Sequence, residues 1–150
     1  MKIVSGGQTG VDRAALDAAL ELGIEAGGWC PQGRLAEDGA IAEKYPLKEL
    51  PKAGYLQRTK RNVIDSDGTV IIFFGNPAGG TQLTLEFCMK ESRPYLLIDA
   101  QSLSVEQASV KIQRFIDKNN ISILNVAGPR ASEKAEAYGY AKLVILNVFQ

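Results

Sequence analysis

The stretch Lys2-Ile3-Val4-Ser5-Gly6-Gly7-Gln8-Thr9-Gly10-Val11-Asp12-Arg13, continuing as AALDAALELG to Gly23, decides the fold. A short apolar run breaks at paired glycines and gives way to a segment of helical period. Lys2–Ser5 reads as a strand. From about Val11 to Leu22, residues Val11, Ala15, Ala18, Ala19 and Leu22 share one helical face. Gly23 suits the left-handed residue that ends a helix. Thr9, with Asp12 three positions on, has the spacing of a capping box. Strand, glycine turn and helix together form the repeating unit of a parallel α/β sheet.

Further along, the same unit recurs. Ala26–Cys30 is a weaker strand, diluted by glycine. Tyr55–Ser66 reads as helix. Thr69–Phe74 is apolar throughout, as suits a strand covered on both faces. Gly75–Gly80 is a loop and Thr81–Glu91 a helix, followed by a strand at Tyr95–Ile98. Ser104 and Gln107 make a capping box for a helix reaching about Asn119. Ile121–Val126 is a strand, and Ser132 is placed to cap a last helix ending near Val148. Leu143–Phe149 reads either as the end of that helix or as a sixth strand; the spacing of Ala135, Tyr138, Ala141, Ile145 and Val148 favours helix. Pro31–Gly54 carries glycine, proline and charge, with at most a short helix around Ala40–Lys44. Its length suggests a lid or binding segment. The expectation is a single domain over residues 1–150: three layers, a mainly parallel sheet of about five strands, and helices on both faces.

Composition narrows the function. The chain has 150 residues, 45% hydrophobic and 23% charged, ordinary globular values. Lys plus Arg and Asp plus Glu both number 17, which disfavours a broad nucleic-acid or anionic-lipid surface. No apolar run reaches the roughly 20 residues of a membrane helix, and no secretory leader is evident. A cytoplasmic location is expected. The apolar runs are compatible with a homo-oligomer. Histidine is absent, so catalysis would rest on carboxylates, hydroxyls, Arg, Lys or backbone. Cys30 and Cys88 have no metal-ligand or disulfide spacing.

Three glycine turns should fall at the carboxyl edge of one parallel sheet: Gly6-Gly7-Gln8-Thr9-Gly10, Gly79-Gly80-Thr81 and Gly128-Pro129-Arg130. Helix starts there offer unpaired amides and partial positive charge to an oxyanion. Thr9, Thr81, Thr84 and Ser132 supply hydroxyls, and Arg13, Arg58 and Arg130 supply charge. Arg58, Lys60 and Arg61 form a basic cluster ahead of Asn62, either part of the site or a solvated helix face. Any one turn is equally well explained as a tight connection; three together point to a site. Asp12 is either a cap or a ligand contact. Glu86 is either solvated or an acid/base group. Glu37-Asp38 suits a cation or, more simply, a helix cap. Neither G-x-x-x-x-G-K-[ST] nor G-x-G-x-x-G is present.

IVSGGQTGVDRAALDAALELG, WCPQGRLAEDGAIAEKYPLKEL, YLQRTKRNVIDSDGTVIIF, GGTQLT and GPRAS together resemble the molybdenum cofactor carrier-like family, the circularly permuted YpsA-type branch of the SLOG superfamily. The resemblance spans nearly the whole chain. It implies a Rossmann-like, doubly wound fold with the SGGQTGVD turn first and GPRAS near the end. In relatives such as DNA-processing protein A the corresponding turns come in the opposite order. It also implies a phosphate-bearing ligand, molybdenum cofactor or nucleotide, held by Gly6, Gly7, Gln8, Thr9, Gly10, Gly79, Gly80, Thr81, Gly128, Pro129 and Arg130. Related phosphoribohydrolases carry P-G-G-x-G-T-x-x-E. Here Thr84 stands where that Glu belongs, and Glu86 comes two residues later, about 200° around the helix. Arg58 loosely matches an upstream Arg of the same relatives. A carrier or binding protein is therefore expected, with a nucleotide hydrolase using Glu86 or Asp12 and Arg58 as the alternative.

Overall fold

A computed structural model describes residues 1–150. Its core is a five-stranded parallel sheet built from β1 (Lys2–Val4), β2 (Glu25–Gly27), β7 (Gly68–Phe73), β8 (Tyr95–Asp99) and β9 (Ile123–Ala127), in the order β2-β1-β9-β7-β8. The last strand inserts between β1 and β7, pairing Ile3 with Leu124 and Val70 with Val126. Helices α1 (Val11–Leu22), α4 (Val105–Asn119) and α5 (Ala137–Phe149) pack together on one face; α2 (Tyr55–Ile64) and α3 (Gly79–Lys90) cover the other. This division follows from right-handed crossovers, because the chain leaves β1 in one direction along the sheet and β7 in the other. The result is a three-layer fold: its parallel α/β sheet is what the alternation of apolar runs predicts, and its Rossmann-like winding is what the family resemblance implies.

One contiguous apolar cluster of 27 residues supports the sheet, with Ile3, Leu16, Ile72, Ile98, Leu124 and Ile145 fully buried. Each such side chain contributes roughly 1.5–3 kcal/mol on burial. Ala14, Ala15, Ala18 and Ala19 of α1 and Ala137 and Ala141 of α5 are fully buried. These small residues let the two helices, from opposite ends of the chain, approach closely. Asp17 then accepts hydrogen bonds from Tyr45 (2.6 Å) and Tyr138 (2.5 Å). Leu143–Phe149 is the end of α5 and not a strand.

Several sequence expectations are corrected. The strand at Ala26–Cys30 splits at Gly28, which sits at φ 125° with no room for a Cβ: one would lie 2.3 Å from the Ser5 carbonyl oxygen. Its second half, β3 (Trp29–Pro31), pairs instead with β6 (Lys48–Leu50). The intervening segment holds a small hairpin of β4 (Leu35–Ala36) and β5 (Gly39–Ala40), and Ala40–Lys44 forms no helix. Arg34 explains why this segment is ordered. Its guanidinium donates to the carbonyls of Ile41, Ala42, Tyr45 and Leu47 at 2.8–3.0 Å. Ile41, Tyr45 and Leu47 are buried, so the segment is packed into the core rather than hinged over it. Ser132 does not cap α5, which begins at Ala137 after a run of turns. Thr9 does not cap α1 either; its N-cap is Gly10 at φ 81°.

Candidate functional site

The chain leaves β1, β7 and β9 at the same sheet edge. Between the starts of α2 and α3 this edge opens into a cavity of about 260 Å³. Its position matches the general rule for open α/β sheets, where ligands sit beyond the strand ends at the point where connections diverge. Of the predicted residues, Gly6, Gln8, Asp12, Arg58, Asn62, Gly80, Thr81, Thr84, Gly128 and Arg130 line it.

Arg58 is the centre of the site. Its backbone is in α2, and its guanidinium lies against the β1–α1 turn, so close that a Cβ on Gly6 would come within 1.7 Å of Nη1. Gly6 is therefore glycine because Arg58 fills the space a side chain would take. Nη1 donates to Asp12 Oδ2 at 3.3 Å, with both residues buried. Nε is buried without any acceptor, and Nη2 has no partner in the chain. A guanidinium offers five donors. Leaving the Nε donor unmet in a buried position is costly unless an acceptor arrives from outside. The amides of Gly6, Gly80 and Gly128, on the same cavity, likewise have no acceptor in the chain.

Asp12 also accepts from the Gln8 amide at 3.3 Å. Burial raises its carboxyl above the ordinary value, outweighing the opposing pull of Arg58 and the Gln8 amide. Thr81 and Thr84 are buried at the cavity wall; Thr84 Oγ1 donates to the Gly80 carbonyl (3.0 Å), whereas the Thr81 hydroxyl has no partner. Asn62 is committed elsewhere, with Oδ1 accepting from the Trp29 amide (2.8 Å) and Nδ2 donating to the Trp29 carbonyl (3.0 Å).

The remaining predicted residues hold the walls. Arg13 turns away from the cavity, donating to the Gly7 carbonyl (2.9 and 3.2 Å) and to Asp38 (2.9 Å). Thr9 donates to Glu37 and accepts from the Ala131 amide (3.1 Å). Ser132 donates to Glu37 through its hydroxyl (2.6 Å) and amide (3.1 Å). These bonds hold the Glu37 carboxyl below its ordinary value. Glu37 thus clasps the two loops from opposite ends of the chain, and Asp38 anchors Arg13; no group of three or more Cys, Asp or Glu side chains is placed to hold a metal ion. Pro129 accepts from the Val11 amide (3.2 Å). A Cβ on Gly10 would lie 2.3 Å from that same carbonyl oxygen, so Gly10 lets α1 start against the β9 loop. A Cβ on Gly7 would strike Leu47 at 2.5 Å.

Three readings change accordingly. The β9 turn leads into a helix only after further turns, and the amides of Gln8, Thr9 and Val11 are taken by the protein itself. The open donors are therefore Arg58 and glycine amides, not three free helix starts. Glu86 is exposed on α3, bonded to Gln82 (3.4 Å) and outside the cavity. Residues 31–54 contribute nothing to the cavity lining. Tyr55, Leu56 and Leu83, all substantially exposed, form its rim instead. Glu133 and Asn125 also line it and escaped sequence reading. Asn125 carries a legible signal, a polar residue inside the apolar run Ile123–Ala127; Glu133 carries none.

Comparison with known proteins agrees with this architecture. The model of the family described as "Circularly permutated YpsA SLOG family" matches residues 3–149. A crystal structure from Syntrophus aciditrophicus SB, named "Putative molybdenum carrier protein", is 47% identical in sequence and superposes with a TM-score of 0.95, covering 99% of this chain and 93% of that one. No curated protein matches.

Proposed function

The chain belongs to the circularly permuted YpsA SLOG family, and from that premise we propose that it is a carrier or binding protein for a phosphate-bearing small molecule, molybdenum cofactor or a nucleotide. The observation that carries this reading is the under-satisfied, buried Arg58 facing the cavity beside glycine amides. The anionic group meets Arg58 and the amides of Gly6, Gly80 and Gly128, where charge-assisted bonds are strongest. The ring system lies toward Tyr55, Leu56 and Leu83, whose exposed apolar surface suits a planar heterocycle. The name of the Syntrophus protein supports molybdenum cofactor as the first candidate. Calorimetry with molybdenum cofactor, AMP, ADP-ribose and molybdate tests the reading. The expected result is binding tighter than about millimolar for at least one of the phosphate-bearing compounds, lost in Arg58→Gln. No binding by the folded protein refutes it.

One observation favours a second reading. Asp12 is a buried carboxyl of raised proton affinity on the cavity wall, paired with Arg58. That is the environment of an acid/base group beside a phosphate-orienting cation. In this reading the protein hydrolyses a nucleotide glycosidic bond without Glu86. Incubation with nucleoside monophosphates and chromatography for free base decides it, and activity that persists in Asp12→Asn removes the assignment.

A further inference from the structure

A second cavity, of about 130 Å³, adjoins the first and is lined by Phe74, Pro129 and Lys134 among others. The two share Thr81 and Glu133. Glu133 therefore stands at the partition, and its surroundings are those of a bound anion. Oε1 accepts from the Arg130 side chain at 3.2 Å and from the Arg130 amide at 3.4 Å. Oε2 lies 3.5 Å from where a Cβ on Gly79 would stand, over the first turn of α3. The amides of Gly79 and Gly80 there have no acceptor. The same cavity is faced by Arg58, only 9% exposed, with its Nε unpartnered. A carboxylate is thus held by a guanidinium at a helix start that favours negative charge, while the guanidinium across the cavity has Asp12 on Nη1 but no acceptor for its buried Nε.

We propose that Glu133 is a place-holder for the ligand's phosphate: the incoming group displaces its carboxylate, takes over Arg130, and binds at the start of α3. This rests on the reading of the cavity as a phosphate site and identifies how that site is filled. Because Glu133 separates the two cavities, its departure joins them. The ligand class that uses the joined space carries a phosphate or pyrophosphate with substituents on both sides, one toward Tyr55 and one toward Phe74.

The test is calorimetric titration of inorganic pyrophosphate into the wild-type chain, Glu133→Gln, Arg58→Gln and Glu43→Gln. Glu133 is half-exposed, so the substitution leaves the fold intact. Removing a competing charge at a helix start should tighten binding about threefold to tenfold in Glu133→Gln. Glu43 is exposed and lies outside both cavities, so its neutralisation should give no comparable gain. Equal or weaker binding in Glu133→Gln, with wild-type binding still abolished by Arg58→Gln, overturns the place-holder and leaves the phosphate site standing. An equal gain in Glu43→Gln also overturns it, since net charge then accounts for the effect. Absence of pyrophosphate binding in every variant removes both.

Discussion

Replacing Gly6 with alanine tests the central geometry most directly. Gly6 has no left-handed backbone angle to strain, so the added methyl acts only through what it meets. It would lie 1.7 Å from Nη1, 2.7 Å from Cζ and 2.9 Å from Cδ of Arg58. Ordinary van der Waals contact is roughly 3.5–4 Å, so the guanidinium must retreat by about 2 Å. Its 3.3 Å contact with Asp12 breaks in the process. Removing one partner of a buried pair costs about 3–5 kcal/mol. Here Arg58 can rotate toward the cavity mouth and Asp12 can take up a proton, so about 2–4 kcal/mol is expected. Urea denaturation followed by circular dichroism measures it. Arg58→Ala removes the obstacle, so the Gly6→Ala/Arg58→Ala pair should be strongly non-additive, with a coupling of about 1–3 kcal/mol. A Gly6→Ala protein within about 0.5 kcal/mol of wild type, or an additive double variant, would show that Arg58 does not occupy this space.

Other expectations follow from the same contacts. Gly80→Ala meets open space within a helix and should stabilise the fold by about 0.5–1 kcal/mol in the same denaturation assay. Asp12 has a raised folded-state pKa, so its protonated form is favoured by folding. The stability this contributes is present below the unfolded value of 3.8 and is lost as pH rises through the folded-state pKa. Asp12→Asn should flatten that part of the pH–stability curve, and an unchanged slope would refute the assignment. Glu37 has the opposite sign: its lowered pKa contributes stability above about pH 4.5 that is lost as pH falls through the folded value. Thermal melts of Glu37→Gln should therefore converge on wild type in acid and lie below it at neutral pH. Asn62→Ala leaves the Trp29 amide and carbonyl without partners and should cost about 1–3 kcal/mol, read by denaturant midpoint.

Period and punctuation made the sheet and helices legible. Val11–Leu22 matches its predicted bounds, and Ser104 with Gln107 forms the expected capping box at 3.2 and 2.9 Å. Local patterns could not reveal long-range partners. Arg34 is one charged residue in a polar stretch, yet it orders residues 41–47 through carbonyls that no spacing rule identifies. The glycine turns pointed to the sheet edge that opens into the cavity, but not to which amides the protein uses for itself. Val11 donates to Pro129 and Ser132 to Glu37, bonds between residues about a hundred positions apart in the chain. Arg58 could be singled out as a cation but not placed, because its position depends on the hole left by Gly6.

The central position of β9 bears on how the molecule is made. During synthesis β1 and β7 emerge from the ribosome well before their shared neighbour, and neither can pair with the other across the gap it will fill. A nascent chain stalled before Ile123 would hold two unsatisfied inner edges and only part of the cavity, whose Gly128, Arg130 and Glu133 come later. Completion of the sheet and assembly of the pocket are therefore one late event, which waits on the strand that slots between β1 and β7.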